Sequence, residues 1–153
     1  MPRITNKEYE ERRETLNAII LQMFFDKGWD YLSYGTISEA SGFKRSTIQG
    51  YFKTSNDFSK ALAGKIFPYV ISKLAFESRE DFVRSWEKAI QDDKFRYIIT
   101  MLIRTATDDI IVSPLAVAGL NRLIGLITAK LGDDAYQDLE ILLGRTVLKL
   151  ANR

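Results

Sequence analysis

The stretch Ile37-Ser38-Glu39-Ala40-Ser41-Gly42-Phe43-Lys44-Arg45-Ser46-Thr47-Ile48-Gln49-Gly50-Tyr51-Phe52 decides how the rest of the chain is read. Its first half reads as a helix followed by a tight turn. Ile37 faces a core, Ser38 is small enough for a second helix to pass close by, and Gly42 takes the positive-φ backbone of the turn without steric cost. Phe43 and Ile48 pin the next helix, which runs from about Arg45 to Tyr51, and Tyr51 with Phe52 closes its far end. Between these anchors stand Lys44, Arg45, Ser46, Thr47, Gln49 and Gly50, all charged, polar or small. A helix this short and this polar is not stable alone in water. It makes sense as an element held by its neighbours while its free face meets a partner.

Working outward, the periodicity stays helical, and the fold class is all-α. A helix opening at Thr5 or Asn6, with Thr5 and Glu8 as a capping box, carries Leu16, Ile19, Ile20, Met23 and Phe24 and ends at Gly28. Ser33 caps the helix before the turn. Beyond the quoted stretch, Thr54 or Ser55 opens a longer helix carrying Phe58, Leu62, Ile66 and Val70, which Pro68 should kink or break. The Ser78-x-x-Asp81 signal starts another, and a further one carries Phe95, Ile98, Ile99, Leu102 and Ile103. Ser113-Pro114 opens a helix closing at Gly132, and Asp133 or Asp134 opens the last, which runs to about Ala151. The expected organisation is a head of residues 1–54 and a helical body of residues 55–153.

Charge sharpens the reading of the quoted stretch. The chain carries a net charge of only +2, but residues 31–65 hold 5 basic and 2 acidic side chains, and no acid stands between Ala40 and Lys53. Residues 1–30 hold 5 basic and 6 acidic groups, and residues 66–153 hold 12 of each. The positive excess marks where a polyanion would dock, and a polar helix held by its neighbours suits the major groove of double-stranded DNA. Lys44, Arg45 and Lys53 are the expected phosphate contacts, joined by Ser33 at a helix start. Ser46 is a further expected DNA contact, Thr47 and Gln49 are the expected base readers, and Tyr51 serves as core or backbone contact.

The sequence contains no cysteine and no histidine, which excludes disulfides, thiolate or imidazole metal sites and any His-based triad. Carboxylate pairs occur at Asp92/Asp93, Asp108/Asp109 and Asp133/Asp134, where helix starts or solvated loops are expected. The expectation is no enzyme, no metal and no cofactor. The charged stretch from Met1 to Glu14 lacks a signal-peptide core. The apolar run from Ile110 to Leu131 is long enough to span a bilayer, but Pro114, Asn121, Arg122 and Lys130 interrupt it, so it reads as a buried helix without a membrane role. A cytoplasmic protein is expected.

Residues 12–62 resemble the DNA-binding head of the TetR family of bacterial regulators. The resemblance rests on Phe24-Phe25-Asp26-Lys27-Gly28-Trp29, Leu32-Ser33, Ile37 through Phe43, Ser46-Thr47-Ile48, Tyr51-Phe52-Lys53 and Asp57-Phe58. Gln49 stands where the family usually has a tyrosine, Ser55 where a phosphate-binding lysine is common, and Lys44 where a small residue caps the third helix. The resemblance implies a homodimeric repressor whose C-terminal body forms the dimer and often holds a small-molecule inducer.

The body has features that fit those roles. Phe82, Trp86, Phe95, Ile99, Met101 and Leu102 read as packed core or as the lining of an apolar effector pocket. The last two helices are apolar round more than one face. Leu120, Leu123, Ile124 and Ile127 on one, and Leu139, Leu142, Leu143 and Val147 on the other, are expected to meet a second copy in a symmetric four-helix interface. Ala116, Gly119 and Gly125 would let backbones approach, with Arg122, Lys130, Arg145 and Lys149 at the rim. The function so read is a sequence-specific DNA-binding repressor, dimeric on a palindromic operator and released by a small apolar effector. The alternative is a protein-binding adaptor whose helix-turn-helix has lost DNA affinity, for which Gln49 and Ser55 are the supporting departures.

Overall fold

Thr5 starts the first helix by accepting a hydrogen bond from the Glu8 amide at 3.1 Å, in a computed structural model that describes residues 3–107 and 114–153. This helix, α1, spans Asn6–Lys27 and ends at Gly28, whose φ of 88° is open to glycine and whose N–H reaches the Phe24 carbonyl at 2.8 Å. A 3-10 turn over Trp29–Tyr31 leads to α2, Tyr34–Ser41, and then to α3, Arg45–Tyr51. The rest comprises a 3-10 run over Ser55–Leu62, then α4 (Ile66–Lys73), α5 (Arg79–Ala89), α6 (Asp93–Thr107), α7 (Pro114–Leu131) and α8 (Asp134–Ala151). Among the described residues there is no strand, and the fold is all-α.

The chain divides into two compact units, one ending at Gly64 and the other beginning at Lys65. The sequence reading closes the head at residue 54. The difference arises because residues 55–62 fold back on α1, burying Phe58, Ala61 and Leu62. Phe58 stands edge-on to both Tyr34 and Phe52, at 5.1 and 5.6 Å between ring centroids. Leu16, Ile20 and Phe24 of α1, Ile37 of α2 and Ile48 of α3 lie in the core of this unit, each fully buried.

The single long fourth helix expected from the periodicity is two elements, and Pro68 is not what separates them. Pro68 lies in the first turn of α4, where its missing N–H has no helical partner to lose. The interruption falls instead at Gly64, with φ +75°.

In the second unit α5 packs against α8, α8 against α7, α7 against α6, and α4 against α5 and α6. Ser78 caps α5 through the Asp81 amide at 3.1 Å, as its spacing predicts. Pro114 is the first residue of α7; Ser113, read as its cap, and Asp108 and Asp109 lie outside the described residues. Gly132, at φ 91°, closes α7, and α8 ends at Ala151. Tyr69 of α4 donates its hydroxyl to Asp92 after α5, and Lys73 lies 3.6 Å from the same carboxylate. Burial and this carboxylate push the Tyr69 phenol up to about 12.

Candidate nucleic-acid interface

The joint between α2 and α3 is built from side chains as well as backbone. Ser33 accepts from the Thr36 amide at 3.0 Å, while the Ser33 amide donates to the Thr36 hydroxyl at 3.0 Å, so both ends of the cap are closed. At the other end Gly42, φ 77°, donates to the Ser38 carbonyl. Ser38 does more than make room, since its hydroxyl donates to the Phe43 carbonyl at 2.6 Å and ties the turn to α2. Lys44 occupies the N-cap of α3 with no side-chain cap, as its identity predicts, and its carbonyl accepts from the Thr47 and Ile48 amides.

With Ile48 fully buried, the rotation of α3 is fixed and its outer face follows. Arg45, Ser46, Gln49 and Gly50 are exposed, and so are Lys44 before the helix and Lys53 after it. Thr47 is half-buried on the flank of this face. Tyr51 is turned toward α1. Its ring stacks on Tyr9 at 4.4 Å between centroids, and its hydroxyl donates to the Tyr9 carbonyl at 3.2 Å. Burial raises the Tyr51 phenol above its ordinary value. Tyr51 therefore holds α3 against α1.

Two arginines of α1 also stand near this joint, although the net charge of residues 1–30 is negative. Arg12 lies over the Phe43 ring at 6.0 Å and Arg13 over the Tyr9 ring at 5.2 Å. Arg12 thus meets the turn across elements, whereas Arg13 and Tyr9 are neighbours one turn apart on α1, with the Tyr9 ring stacked on Tyr51 of α3. The signals available in the sequence are the adjacent arginines Arg12 and Arg13 and the four-residue spacing of Tyr9 and Arg13. Behind α3, Asp57 is held below its ordinary value by the Thr54 amide and Lys60, as part of a reciprocal cap on the 3-10 run.

In the second unit the six residues read as core or pocket lining separate into two groups. Phe82, Trp86, Phe95 and Ile99 are buried, with Trp86 edge-on to Phe95 at 5.2 Å and to Phe82 at 6.3 Å. Met101 and Leu102 are half-buried on α6.

The expected interface residues separate in the same way. Leu123, Ile127, Leu139 and Leu142 are already buried within one chain, where they hold α7 and α8 in the unit. Leu120, Ile124 and Leu143 are half-buried, and Val147 is exposed. The open apolar surface is carried by Val117, Tyr136, Ile141, Val147 and Leu148, of which Leu148 is 65% exposed. A Cβ placed on Gly119, Gly125 or Gly144 would meet nothing within 4 Å. The buried helix expected around residues 114–131 is thus buried only along Leu123 and Ile127. Of the expected rim, Arg122 lies 4.0 Å over the Phe67 ring of α4, and Arg145 pairs with Glu87 of α5 at 3.3 Å.

An all-helical chain with a turn-linked helix pair in its first unit and a helical body in its second has the build of a transcriptional regulator. Residues 63–150 match the family model described as the tetracycline repressor LuxT C-terminal domain. That match spans more than half of the chain, which belongs to this family of tetracycline-repressor-like regulators. No curated protein matches the chain.

Proposed function

We propose that the protein is a sequence-specific DNA-binding repressor, cytoplasmic, and active as a homodimer on a palindromic operator. The observation that carries this reading is the outer face of α3. It presents Arg45, Ser46, Gln49 and Gly50, flanked by Lys44 and Lys53, while Ile48 and Tyr51 fasten the opposite face. Cations at the edges and a polar amide between them are what phosphate positioning and base readout require. Gln49 is a bidentate partner for an adenine edge, Ser46 stands beside it, and the bare backbone of Gly50 permits close approach.

Dimer formation accounts for the apolar surface of α7 and α8. A second copy laid on Val117, Tyr136, Ile141, Val147 and Leu148 removes that surface from water, and the open glycines allow backbones to come close. One head then reads each half-site, spaced by whole turns of the duplex. The aromatic cluster around Trp86 is the natural receiver of a small apolar effector that lowers DNA affinity, with Met101 and Leu102 at its margin.

The test is selection of bound duplexes from a random pool at low salt, followed by sedimentation of the protein with the winning duplex. The expected result is an enriched inverted repeat bound by two chains. A chain that retains no duplex at low salt overturns the proposal and leaves the adaptor reading.

A further inference from the structure

In the first turn of α2, Gly35 lies beneath the side chain of Arg45, which belongs to α3. A Cβ built on Gly35 would stand 2.9 Å from Nη2 and 3.4 Å from Cζ of Arg45, and 3.7 Å from Oγ of Ser33. The guanidinium therefore fills the space that a side chain at position 35 would take. Arg45 is exposed, and no carboxylate is paired with it among the described residues.

We infer that Gly35 is a positioning residue for the DNA contact: lacking a side chain, it seats the Arg45 guanidinium across the start of α2, beside Ser33, ready for a phosphate. This deepens the DNA-binding reading and rests on it. Two physical points carry the inference. Arginine has long, freely rotating links, and a planar fork seated in advance on a fixed backbone loses less freedom when it binds a phosphate. Glycine, in turn, is a poor helix residue, and alanine would favour α2 at this position. The residue thus works against its own helix, and the role that explains it lies in what it lets Arg45 do.

Those two effects have opposite signs, which makes the inference testable. Gly35→Ala, Arg45→Ala and the double variant are compared with the full wild-type chain by thermal melting and by anisotropy of a labelled random-sequence duplex across a salt series. Gly35→Ala should melt at the wild-type temperature or above it, because only the far end of a flexible side chain has to move. It should bind the duplex about tenfold more weakly at low salt, and for a two-headed dimer the salt dependence should flatten by about two in log–log slope. Arg45→Ala should match it, and the double variant should be no worse than Arg45→Ala. Wild-type affinity and slope in Gly35→Ala overturn the inference while leaving the DNA-binding reading in place. Losses that add in full in the double variant overturn it, and so does a fall in melting temperature that accompanies weaker binding. A wild-type chain that leaves the duplex unbound overturns the reading and the inference together.

Discussion

Trp86 donates its indole N–H to the Thr146 hydroxyl at 3.0 Å, and Thr146 in turn donates to the Leu142 carbonyl at 2.7 Å. Both side chains are only 1% exposed, so α5 and α8 are joined through a polar contact with no water to replace it. Thr146→Val keeps the shape but removes the acceptor, leaving the indole N–H buried and unpaired. The cost should be roughly 1–3 kcal/mol in chemical denaturation. Thr146→Ser keeps the acceptor and loses one methyl, at about 0.8 kcal/mol. Equal losses in the two variants would mean that packing, not the hydrogen bond, joins the helices.

The face of α3 predicts a division of labour in DNA recognition. Lys53→Ala should weaken binding to every sequence alike and flatten the salt slope by about 0.9 for each head. Gln49→Ala should instead lose discrimination at one base position, worth roughly 1–3 kcal/mol, with the slope unchanged. Selection experiments on each variant check this. An unaltered base preference in Gln49→Ala would move base reading to Ser46 and its neighbours.

Local rules were enough for most of the first unit. The caps at Thr5 and Ser33, the turn at Gly42 and the bounds of α3 follow from spacing and from residues whose backbone preferences are strong. Two kinds of information were not local. Where Tyr51 points depends on Tyr9, 42 positions earlier in the chain, and only that contact shows the ring bracing α3 against α1, a choice the sequence leaves open. The apolar excess of α7 and α8 was plain, but a leucine on such a helix does not announce which face it occupies. Leu123 and Leu142 face inward while Val147 and Leu148 face out, and that division depends on how the neighbouring helices pack. The family match falls on residues 63–150, where the sequence showed helical periodicity and no motif.

Arg79 reaches Asp138 of α8 through two hydrogen bonds, 2.7 and 3.0 Å long, and lies 3.5 Å from Asp134. The Arg79 guanidinium holds the Asp138 carboxyl below its ordinary value of 3.8. A carboxyl depressed in the folded state contributes stability that is present above its unfolded value and is lost as pH falls through the folded one. Asp138→Asn should therefore lower the urea midpoint at neutral pH, and the gap to wild type should close at pH values below 3.8. A gap that stays constant down to that range would rule out the ion pair as its source.

An effector that enters the aromatic cluster should be visible through Trp86. In a Trp29→Phe background Trp86 is the only tryptophan, so quenching by an apolar metabolite reports on the second unit alone. Because Trp86 is buried against Phe95, a ligand there must rearrange the packing, and quenching should be accompanied by weaker duplex binding. Quenching with unchanged DNA affinity would separate the pocket from any switch.

The dimer proposal makes the sharpest distinction between neighbouring residues. Val147 is 44% exposed and Leu148 65%, whereas Leu142, less than two turns earlier on the same helix, is 1% exposed. A glutamate at Val147 or Leu148 puts a charge on surface that is solvated in the single chain and covered in the dimer. Such variants should keep their helical signal and sediment at 17.5 kDa, while the wild type sediments at twice that mass. They should also lose operator affinity, because two half-sites no longer share one protein. A glutamate at Leu142 buries an unpaired carboxylate inside one chain, at a cost of roughly several kcal/mol, and should unfold the second unit. Analytical ultracentrifugation and circular dichroism at micromolar concentration read both outcomes. A wild type that sediments at 17.5 kDa, or a Leu148→Glu variant that remains dimeric, would place the partner of this surface elsewhere.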